Sequence, residues 1–266
     1  MSAHNPFALS ADAEAMLAPL IAAARSGGAK AMEFREEGVD TEHKGDGSPV
    51  TIADRAVEAA LIATLAETMP GVPALGEEQF EAGACPDLER RFLCIDPIDG
   101  TKQFISGDPH WVISIGLIDH GHPLAGVVFA PALGRLFAGV VGEGGWVSEP
   151  DGSFKPFRSA PAQRDAMRVV HGGFDKWSDL APLLEGYGVA ERKGYGSAYK
   201  FGLIAIGEAD IFPRDARVWE WDTAGGEALI MACGGTILDL KGNRLAYGKV
   251  GQGYRQPPFI ARAAIA

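Results

Sequence analysis

Apolar residues recur along this chain with two periods, one typical of helices and one typical of strands. Residues 11–25 and 53–69 place apolar side chains three or four positions apart, and Ser10 precedes the first segment as an N-cap. Residues 111–118 and 124–129 instead alternate on either side of a polar turn. These patterns predict two amphipathic helices followed by a β-hairpin.

Shorter apolar runs between Gly, Pro and Asp predict the remaining elements. We predict strands at 93–95, 136–141, 167–170, 209–212 and 236–240, and helices at 175–186, 198–206 and 223–233. Residues 149–161 are the most polar and Pro-rich interval. We place a domain boundary there, between an N-terminal α+β domain (1–150) and a C-terminal α/β domain (151–266). Helices layered on strands predict an α+β or α/β layered sandwich.

Composition narrows the classes of function. The chain has 266 residues, 47% of them hydrophobic, and a net charge of −11. This charge argues against nucleic-acid polymers and anionic membranes as partners. We see no run of membrane-spanning length and no signal peptide. Cys94 and Cys233 lie in apolar runs as core residues, so the three cysteines suit a reducing cytoplasm.

The segment Asp96-Pro97-Ile98-Asp99-Gly100-Thr101 carries the clearest chemical signal. It follows an apolar run that we predict to be a strand ending at Pro97, before a helix that starts near Gly100. Two carboxylates and the Ile98 carbonyl then converge on one point, as Mg²⁺ requires. The amides of Gly100, Thr101 and Lys102 would face a phosphate there. In isolation, the same residues also suit an ordinary turn.

Three further acidic positions have both a structural and a functional interpretation. Glu77 and Glu78 follow Gly76 in what we predict to be a loop, where paired glutamates are usually solvated. Asp54 suits the first turn of the second helix. Asp222 suits the N-cap of the helix that we start at Thr223, and a capping carboxylate can also bind a metal ion.

Together, these segments resemble the inositol monophosphatase superfamily of Mg²⁺-dependent, lithium-sensitive phosphatases. The resemblance covers roughly residues 10 to 250, with the two family motifs at 92–104 and 221–225. It implies that Glu77, Asp96 and the Ile98 carbonyl hold one Mg²⁺, and that Asp96, Asp99 and Asp222 hold a second. A third ion remains an open alternative. The resemblance further implies that Asp54 and Thr101 activate the attacking water, and that the amides of Gly100 and Thr101 hold the phosphate.

Within the superfamily, the chain looks most like the CysQ-type 3′(2′),5′-bisphosphate nucleotidases. The stretches that carry this likeness are 44–51, 100–105, 196–201 and 209–214. The resemblance implies hydrolysis of adenosine 3′,5′-bisphosphate, or its 5′-phosphosulfate form, to clear a by-product of sulfur metabolism. Ser197 would also contact the substrate. Positive charge near a second phosphate would come from four basic side chains: Lys102, Lys200, Arg214 and Arg217.

Residues 106–111 depart from that pattern and resemble histidinol-phosphate phosphatases, although we favour packing roles for His110 and Trp111. Inositol-phosphate and fructose-bisphosphate phosphatases are further alternatives. A catalytically silent metal- or phosphate-binding regulator is a remote one, because a binder does not need the water-activating pair Asp54 and Thr101. We expect a cytoplasmic protein with a small phosphorylated substrate. The sequence leaves a homodimer and peripheral attachment to the inner membrane open.

Overall fold

Two large β-sheets and layers of helices form the part of the chain that the computed structural model describes, which is residues 9–38, 41–43, 49–88, 90–158 and 160–266. The helices are α1 (Ala11–Glu37), α2 (Ile52–Thr68), α3 (Glu77–Glu81), α4 (Thr101–Ser106), α5 (Trp177–Leu180), α6 (Tyr199–Ala205) and α7 (Trp221–Ala232). Short 3₁₀ turns cover Pro131–Leu133, Ala181–Leu184 and Val250–Gln252.

The first large sheet has seven strands. Its order is β3 (Ala74–Gly76), β4 (Arg91–Asp99), β5 (Val112–Asp119), β6 (His122–Ala130), β7 (Arg135–Val140), β8 (Gly144–Ser148) and β9 (Phe154–Pro156). Only β3 and β4 are parallel, and the rest form an antiparallel meander. A separate pair, β1 (Thr41–His43) and β2 (Pro49–Thr51), precedes it. The predicted hairpin is confirmed as β5–β6.

The second large sheet has five strands. Its order is β11 (Val189–Tyr195), β10 (Met167–Gly172), β12 (Ile211–Arg214), β16 (Phe259–Arg262) and β14 (Thr236–Asp239). A two-stranded sheet joins β13 (Val218–Trp219) to β15 (Arg255–Gln256). The sequence patterns did not predict β11 or β16. Strand β11 is an edge strand with mostly exposed side chains, so it lacks the apolar alternation of a half-buried strand.

The elements stack as alternating layers of helices and sheets. Helices α1 and α2 pack on one face of the seven-stranded sheet, and α7 packs on its other face. Helices α6 and α7 also contact the five-stranded sheet, so they lie between the two sheets. Helix α5 and the 3₁₀ turn that follows it bury Leu180 and Leu184, and Leu184 belongs to the core that includes the five-stranded sheet. The predicted layered αβαβα sandwich is thus confirmed, while the division into domains at residue 150 stays a prediction.

Helix α1 runs twelve residues beyond the predicted end at Arg25. The sequence Ser26-Gly27-Gly28 looks like a helix stop, but these glycines lie inside the helix where it meets the sheet. A Cβ atom on Gly28 would lie only 2.4 Å from Cε1 of Phe129. Close packing therefore requires glycine here, and it outweighs the low helix propensity of this residue. In the described ranges, no helix is both long and apolar enough to cross a membrane.

Candidate active site

Asp96 and Asp99 lie on strand β4, on either side of a β-bulge. Asp96 pairs with Ser114 and Asp99 with Val112, so three steps along β4 match two steps along β5. Residues three apart normally point to opposite faces of a strand, and the extra residue offsets this alternation. Our prediction that the strand ends at Pro97 was wrong, because a bulge tolerates proline within a sheet. The Asp96 carboxylate is buried and accepts the Ile98 N–H at 3.1 Å.

The predicted water-activating pair is brought together by two helices. Asp54 lies in the first turn of α2, as predicted, and is 3% exposed. Thr101 begins α4, and its Oγ1 lies 3.4 Å from Oδ1 of Asp54 and 3.3 Å from the Ile98 carbonyl oxygen. The single proton of the threonine hydroxyl can therefore be donated either to a buried carboxylate or to a backbone carbonyl at the edge of the pocket.

Glu77 occupies a short helix and not the predicted loop. It is the first residue of α3, directly after β3, and its side chain lines the pocket. The parallel pairing of β3 with β4 sets Gly76 beside Ile95, one residue before Asp96. Adjacent parallel strands that end at the same edge of a sheet thus bring Glu77 and Asp96 to the same region.

Asp222 lies inside the first turn of α7, so the expectation that it caps this helix was wrong. The helix starts at Trp221, with Glu220 in the N-cap position. The Asp222 carboxylate turns back and accepts the Trp219 N–H at 2.7 Å. It also lines the pocket beside Asp99. Burial and the negative charge of Asp99 raise the pKa of Asp222 to about 7.

Asp99 sits in a similar electrostatic setting. Burial raises its pKa, against the opposing effects of the positive charge on Lys200 and the N–H of Ala198, which the carboxylate accepts. Two neighbouring carboxylates that both resist ionisation are stabilised when a cation binds between them. The burial of Asp99 and Asp222 and the repulsion between their charges therefore favour a bound cation.

A pocket of about 450 Å³ lies beside these residues, although Asp54, Asp96 and Ile98 are absent from its described lining. Glu77, Asp99, Thr101 and Asp222 line it on the acidic side. Within the described ranges, no three His, Cys, Asp or Glu side chains are already arranged to hold a metal ion. Asp96, Asp99 and Asp222 each accept a backbone N–H, and one such bond uses only one of the roughly four lone-pair sites of a carboxylate, so it does not prevent cation binding. The donors are all oxygen atoms, and this chemistry fits Mg²⁺.

Three of the four predicted basic residues line the same pocket. Lys200 is 5% exposed, and its Nζ donates to the carbonyl oxygens of Ser197 and Tyr195 at 2.5 and 3.2 Å. Burial lowers the pKa of Lys200 to about 8. Arg214 donates to Asp175 at 3.0 Å. Arg217 is exposed and is absent from the described lining of the pocket.

Ser197 and Gly100 complete the predicted lining, while the neighbouring aromatic residues have packing roles. The Ser197 hydroxyl donates to the His110 carbonyl oxygen at 2.8 Å, which ties the loop before α6 to the loop before β5. Trp111 is fully buried against Phe104, as we favoured. The His110 ring contacts Tyr195 and Tyr199. The part of the 44–51 stretch before Pro49 lies outside the described residues.

Sequence reasoning missed several residues of the pocket lining, and the most exposed aromatic one among them is Phe174. Its side chain is 78% exposed at the rim, with the Lys102 ammonium 5.3 Å from the ring centroid. The loop behind it is held by Asp175, which accepts the Gly172 N–H at 2.7 Å. The sequence signal was a pair of glycines followed by an aromatic residue directly after β10, at the carboxyl end of a parallel strand.

Comparison with known proteins agrees with this geometry. Residues 12–263 match the inositol monophosphatase family. The chain belongs to this family. It is 34% identical over 209 residues to the 3′(2′),5′-bisphosphate nucleotidase CysQ of Escherichia coli K12, covering 79% of this chain and 83% of that protein. It is also 34% identical over 211 residues to the histidinol-phosphatase of Mycobacterium tuberculosis, covering 77% and 78%.

Solved structures share the fold. CysQ from Bacteroides thetaiotaomicron superposes with a TM-score of 0.74 at 28% identity, covering 95% of this chain and 97% of that one. An IMPase from Thermotoga maritima gives 0.76 at 22% identity, covering 93% and 91%, and this likeness concerns the fold alone. Family membership and the CysQ relatives support a phosphatase acting on a small phosphorylated molecule. Members of this family are generally Mg²⁺-dependent.

Proposed function

We propose that this protein is a Mg²⁺-dependent phosphomonoesterase that removes the 3′-phosphate of adenosine 3′,5′-bisphosphate, or of its 5′-phosphosulfate form, to give the 5′-nucleotide and phosphate. The observation that carries the proposal is the mixed charge of one pocket. Acidic residues suited to cations share it with Lys102, Lys200 and Arg214. A substrate with two anionic groups matches this arrangement, because metal ions take up one phosphate and the basic side chains take up the other.

The proposed metal ligands are those that the family resemblance implied. Glu77, Asp96 and the Ile98 carbonyl oxygen would hold one Mg²⁺, and Asp96, Asp99 and Asp222 a second. When bound, Mg²⁺ neutralises phosphate charge and makes water a better nucleophile at neutral pH. The raised pKa values of Asp99 and Asp222 support this assignment, because both groups lose solvation that a cation would replace.

Asp54 and Thr101 would accept the proton of the attacking water. Thr101 Oγ1 is close enough to Asp54 to pass a proton towards that carboxylate. The water oxygen bonds to phosphorus as the bond from phosphorus to the 3′ oxygen breaks, and that oxygen leaves with the electron pair and takes up a proton. The amides of Gly100 and Thr101 would hold the phosphate oxygens during this displacement.

The remainder of the nucleotide would lie against the other side of the pocket. Lys200 and Arg214 would contact the 5′-phosphate, and Lys102 would add charge at the rim. The exposed ring of Phe174 offers a flat apolar face to the base. Inositol phosphates have no aromatic group that could use this face.

Histidinol phosphate is the second candidate substrate, because a histidinol-phosphatase is similar to this chain over 77% of its length. Two observations weigh against it. Trp111 is fully buried, and neither His110 nor Trp111 belongs to the described lining of the pocket. A substrate with one phosphate would also offer no second anionic group to Lys102, Lys200 and Arg214.

The test is the identity of the product. Purified protein is incubated with adenosine 3′,5′-bisphosphate and Mg²⁺, and ³¹P NMR follows both phosphates. We expect stoichiometric release of inorganic phosphate with 5′-AMP as the nucleotide product, and no release in excess EDTA. Accumulation of 3′-AMP, or turnover that persists in EDTA, would contradict the proposal.

A further inference from the structure

A buried carboxylate outside the proposed ligand set contacts the start of α3. Glu58 lies on α2, one helical turn after Asp54, and is 3% exposed. Its two carboxylate oxygens accept the N–H groups of Glu78 and Gln79, each at 2.7 Å. These are the second and third residues of α3, and the first is Glu77. A side chain of α2 thus holds the helix that presents Glu77.

The bond geometry accounts for how α3 begins. The first amides of a helix have no partner within it, and Gly76 in the N-cap position has no side chain to satisfy them. The Glu58 carboxylate takes this role from another helix, and its negative charge suits the positive end of the peptide dipoles. Phe80, later in α3, packs against aromatic rings, and the Glu58 carboxylate holds the first turn, where Glu77 lies.

Gly76 shows how closely the carboxylate is seated. A Cβ atom at this position would lie 2.4 Å from Cδ of Glu58 and 2.5 Å from Oε2. A side chain at this position would therefore have to displace the Glu58 carboxylate from the two amides. The same contact offers a way to disturb Glu58 without changing it.

We infer that Glu58 is a positioning residue, which holds the first turn of α3 so that the Glu77 carboxylate is aimed into the pocket for Mg²⁺. The inference rests on the proposed function, because it takes Glu77 to be a metal ligand. Glu58 is absent from the described lining of the pocket. Its effect on the ion would thus pass through the backbone of α3. Helix α2 would then place both Asp54 and, by way of Glu58, Glu77.

Direct Mg²⁺ binding is the appropriate readout, measured by titration calorimetry without substrate. Removing a group that supports a metal ligand typically weakens metal affinity by about 10- to 100-fold. We expect Glu58→Gln to do so, because its amide NH₂ cannot accept an N–H. Glu58→Asp keeps the charge but is too short to reach both amides, and we expect the same direction of change.

Asp210→Asn is the matched control. Asp210 is also 3% exposed and accepts a backbone N–H, from Arg168 at 2.8 Å, but it lies beside the five-stranded sheet. We expect it to lose stability while keeping Mg²⁺ affinity. If Glu77→Gln leaves Mg²⁺ affinity unchanged, the proposed metal site itself is wrong. If Glu77→Gln weakens binding but both Glu58 variants bind Mg²⁺ like Asp210→Asn, the inference about Glu58 is overturned.

A double-mutant cycle separates this role from general destabilisation. Gly76→Ala should reproduce the Mg²⁺ defect in a chain that retains Glu58, whereas Gly251→Ala, where a Cβ atom meets nothing within 4 Å, should not. In a Glu58→Ala background, Gly76→Ala should add little, because the carboxylate with which it collides is gone. Fully additive effects would show that Gly76 does not act through Glu58, and would count against the inference.

Discussion

The Asp99 carboxylate serves the proposed chemistry as a metal ligand, but its burial as a charged group destabilises the metal-free protein. This carboxylate is placed beside Asp222, and burial raises its pKa. An amide at this position keeps the shape and can still accept the Ala198 N–H, but it removes a metal ligand. The residue thus separates activity from folding.

We predict that Asp99→Asn lowers kcat/KM at least about a thousandfold, equivalent to roughly 4 kcal/mol of transition-state stabilisation. Thermal unfolding in EDTA should show a midpoint no lower than that of the wild type, since a poorly solvated charge has been removed. Substantial activity of Asp99→Asn at saturating Mg²⁺ would contradict the assignment of Asp99 as a metal ligand.

Lys200 tests the subsite for the second phosphate. Losing a charged hydrogen bond costs about 1.5–3 kcal/mol, or roughly 10- to 150-fold. We predict that Lys200→Met raises KM for adenosine 3′,5′-bisphosphate by about this factor and leaves KM for 3′-AMP much less affected. Lys193→Met, on the exposed edge strand β11, is the control for lost charge. Equal effects of Lys200→Met on both substrates would remove Lys200 from the subsite.

The raised pKa of Glu227 makes the free energy of unfolding depend on pH. Glu227 is 1% exposed and accepts the Tyr247 hydroxyl at 2.6 Å, and burial raises its pKa to about 7. A glutamate in the unfolded chain titrates near pH 4.3, so the folded state binds this proton more tightly. The stabilisation that Glu227 adds to the free energy of unfolding is fully present below about pH 4 and is lost as the pH rises through 7.

We therefore predict that Glu227→Gln flattens the fall in the free energy of unfolding between pH 5 and 7. Urea denaturation of both proteins in EDTA at these two pH values measures the difference. An unchanged pH dependence would show that another group is responsible.

At the scale of elements, an aromatic cluster joins the two segments that carry Glu77 and Asp222. Phe80 of α3 lies 5.0 Å from the Trp219 ring and 5.4 Å from the Trp221 ring, between ring centroids. The two tryptophans stack at 5.0 Å, and the Arg255 guanidinium covers Trp219. The cluster therefore links α3, next to the first sheet, to the start of α7.

We predict that Phe80→Ala lowers the free energy of unfolding by about 3 kcal/mol and also weakens Mg²⁺ binding. The measurements are urea denaturation and calorimetric Mg²⁺ titration. Phe157→Ala, at a buried position beside Gly139 and Gly145, provides a comparable loss of packing away from the site. If both variants weaken Mg²⁺ binding equally, the weaker binding results from a general loss of stability and not from loss of the contact between α3 and α7.

Elements with strong local signals could be predicted from the sequence, and those set by tertiary contacts could not. The hairpin β5–β6 and helix α2 follow from clear periodicity. The bulge in β4 was missed because proline alone signals the end of a strand, and only the ladder with β5 reveals that pairing resumes at Asp99. Helix α3 was missed because its start depends on Glu58, nineteen residues before Glu77.

For the whole molecule, the site lies where both sheets contribute to one pocket. Glu77 and Asp99 come from the seven-stranded part of the chain, while Lys200, Arg214 and Asp222 come from the later part. The motifs identified the acidic residues because each lies in a distinctive local sequence. Phe174 follows a pair of glycines, but this local signal does not by itself place the ring at the pocket, because that depends on where the loop after β10 lies relative to Lys102.

The most direct test of the central claim is a comparison of kcat/KM values for phosphate release with Mg²⁺. The substrates are adenosine 3′,5′-bisphosphate, histidinol phosphate, inositol 1-phosphate and fructose 1,6-bisphosphate. We predict a value for the nucleotide at least about a hundredfold above the others, equivalent to roughly 2.7 kcal/mol of discrimination. A higher value for histidinol phosphate or either sugar phosphate would contradict the assignment of the substrate, and no turnover of any of them would contradict the proposed reaction itself.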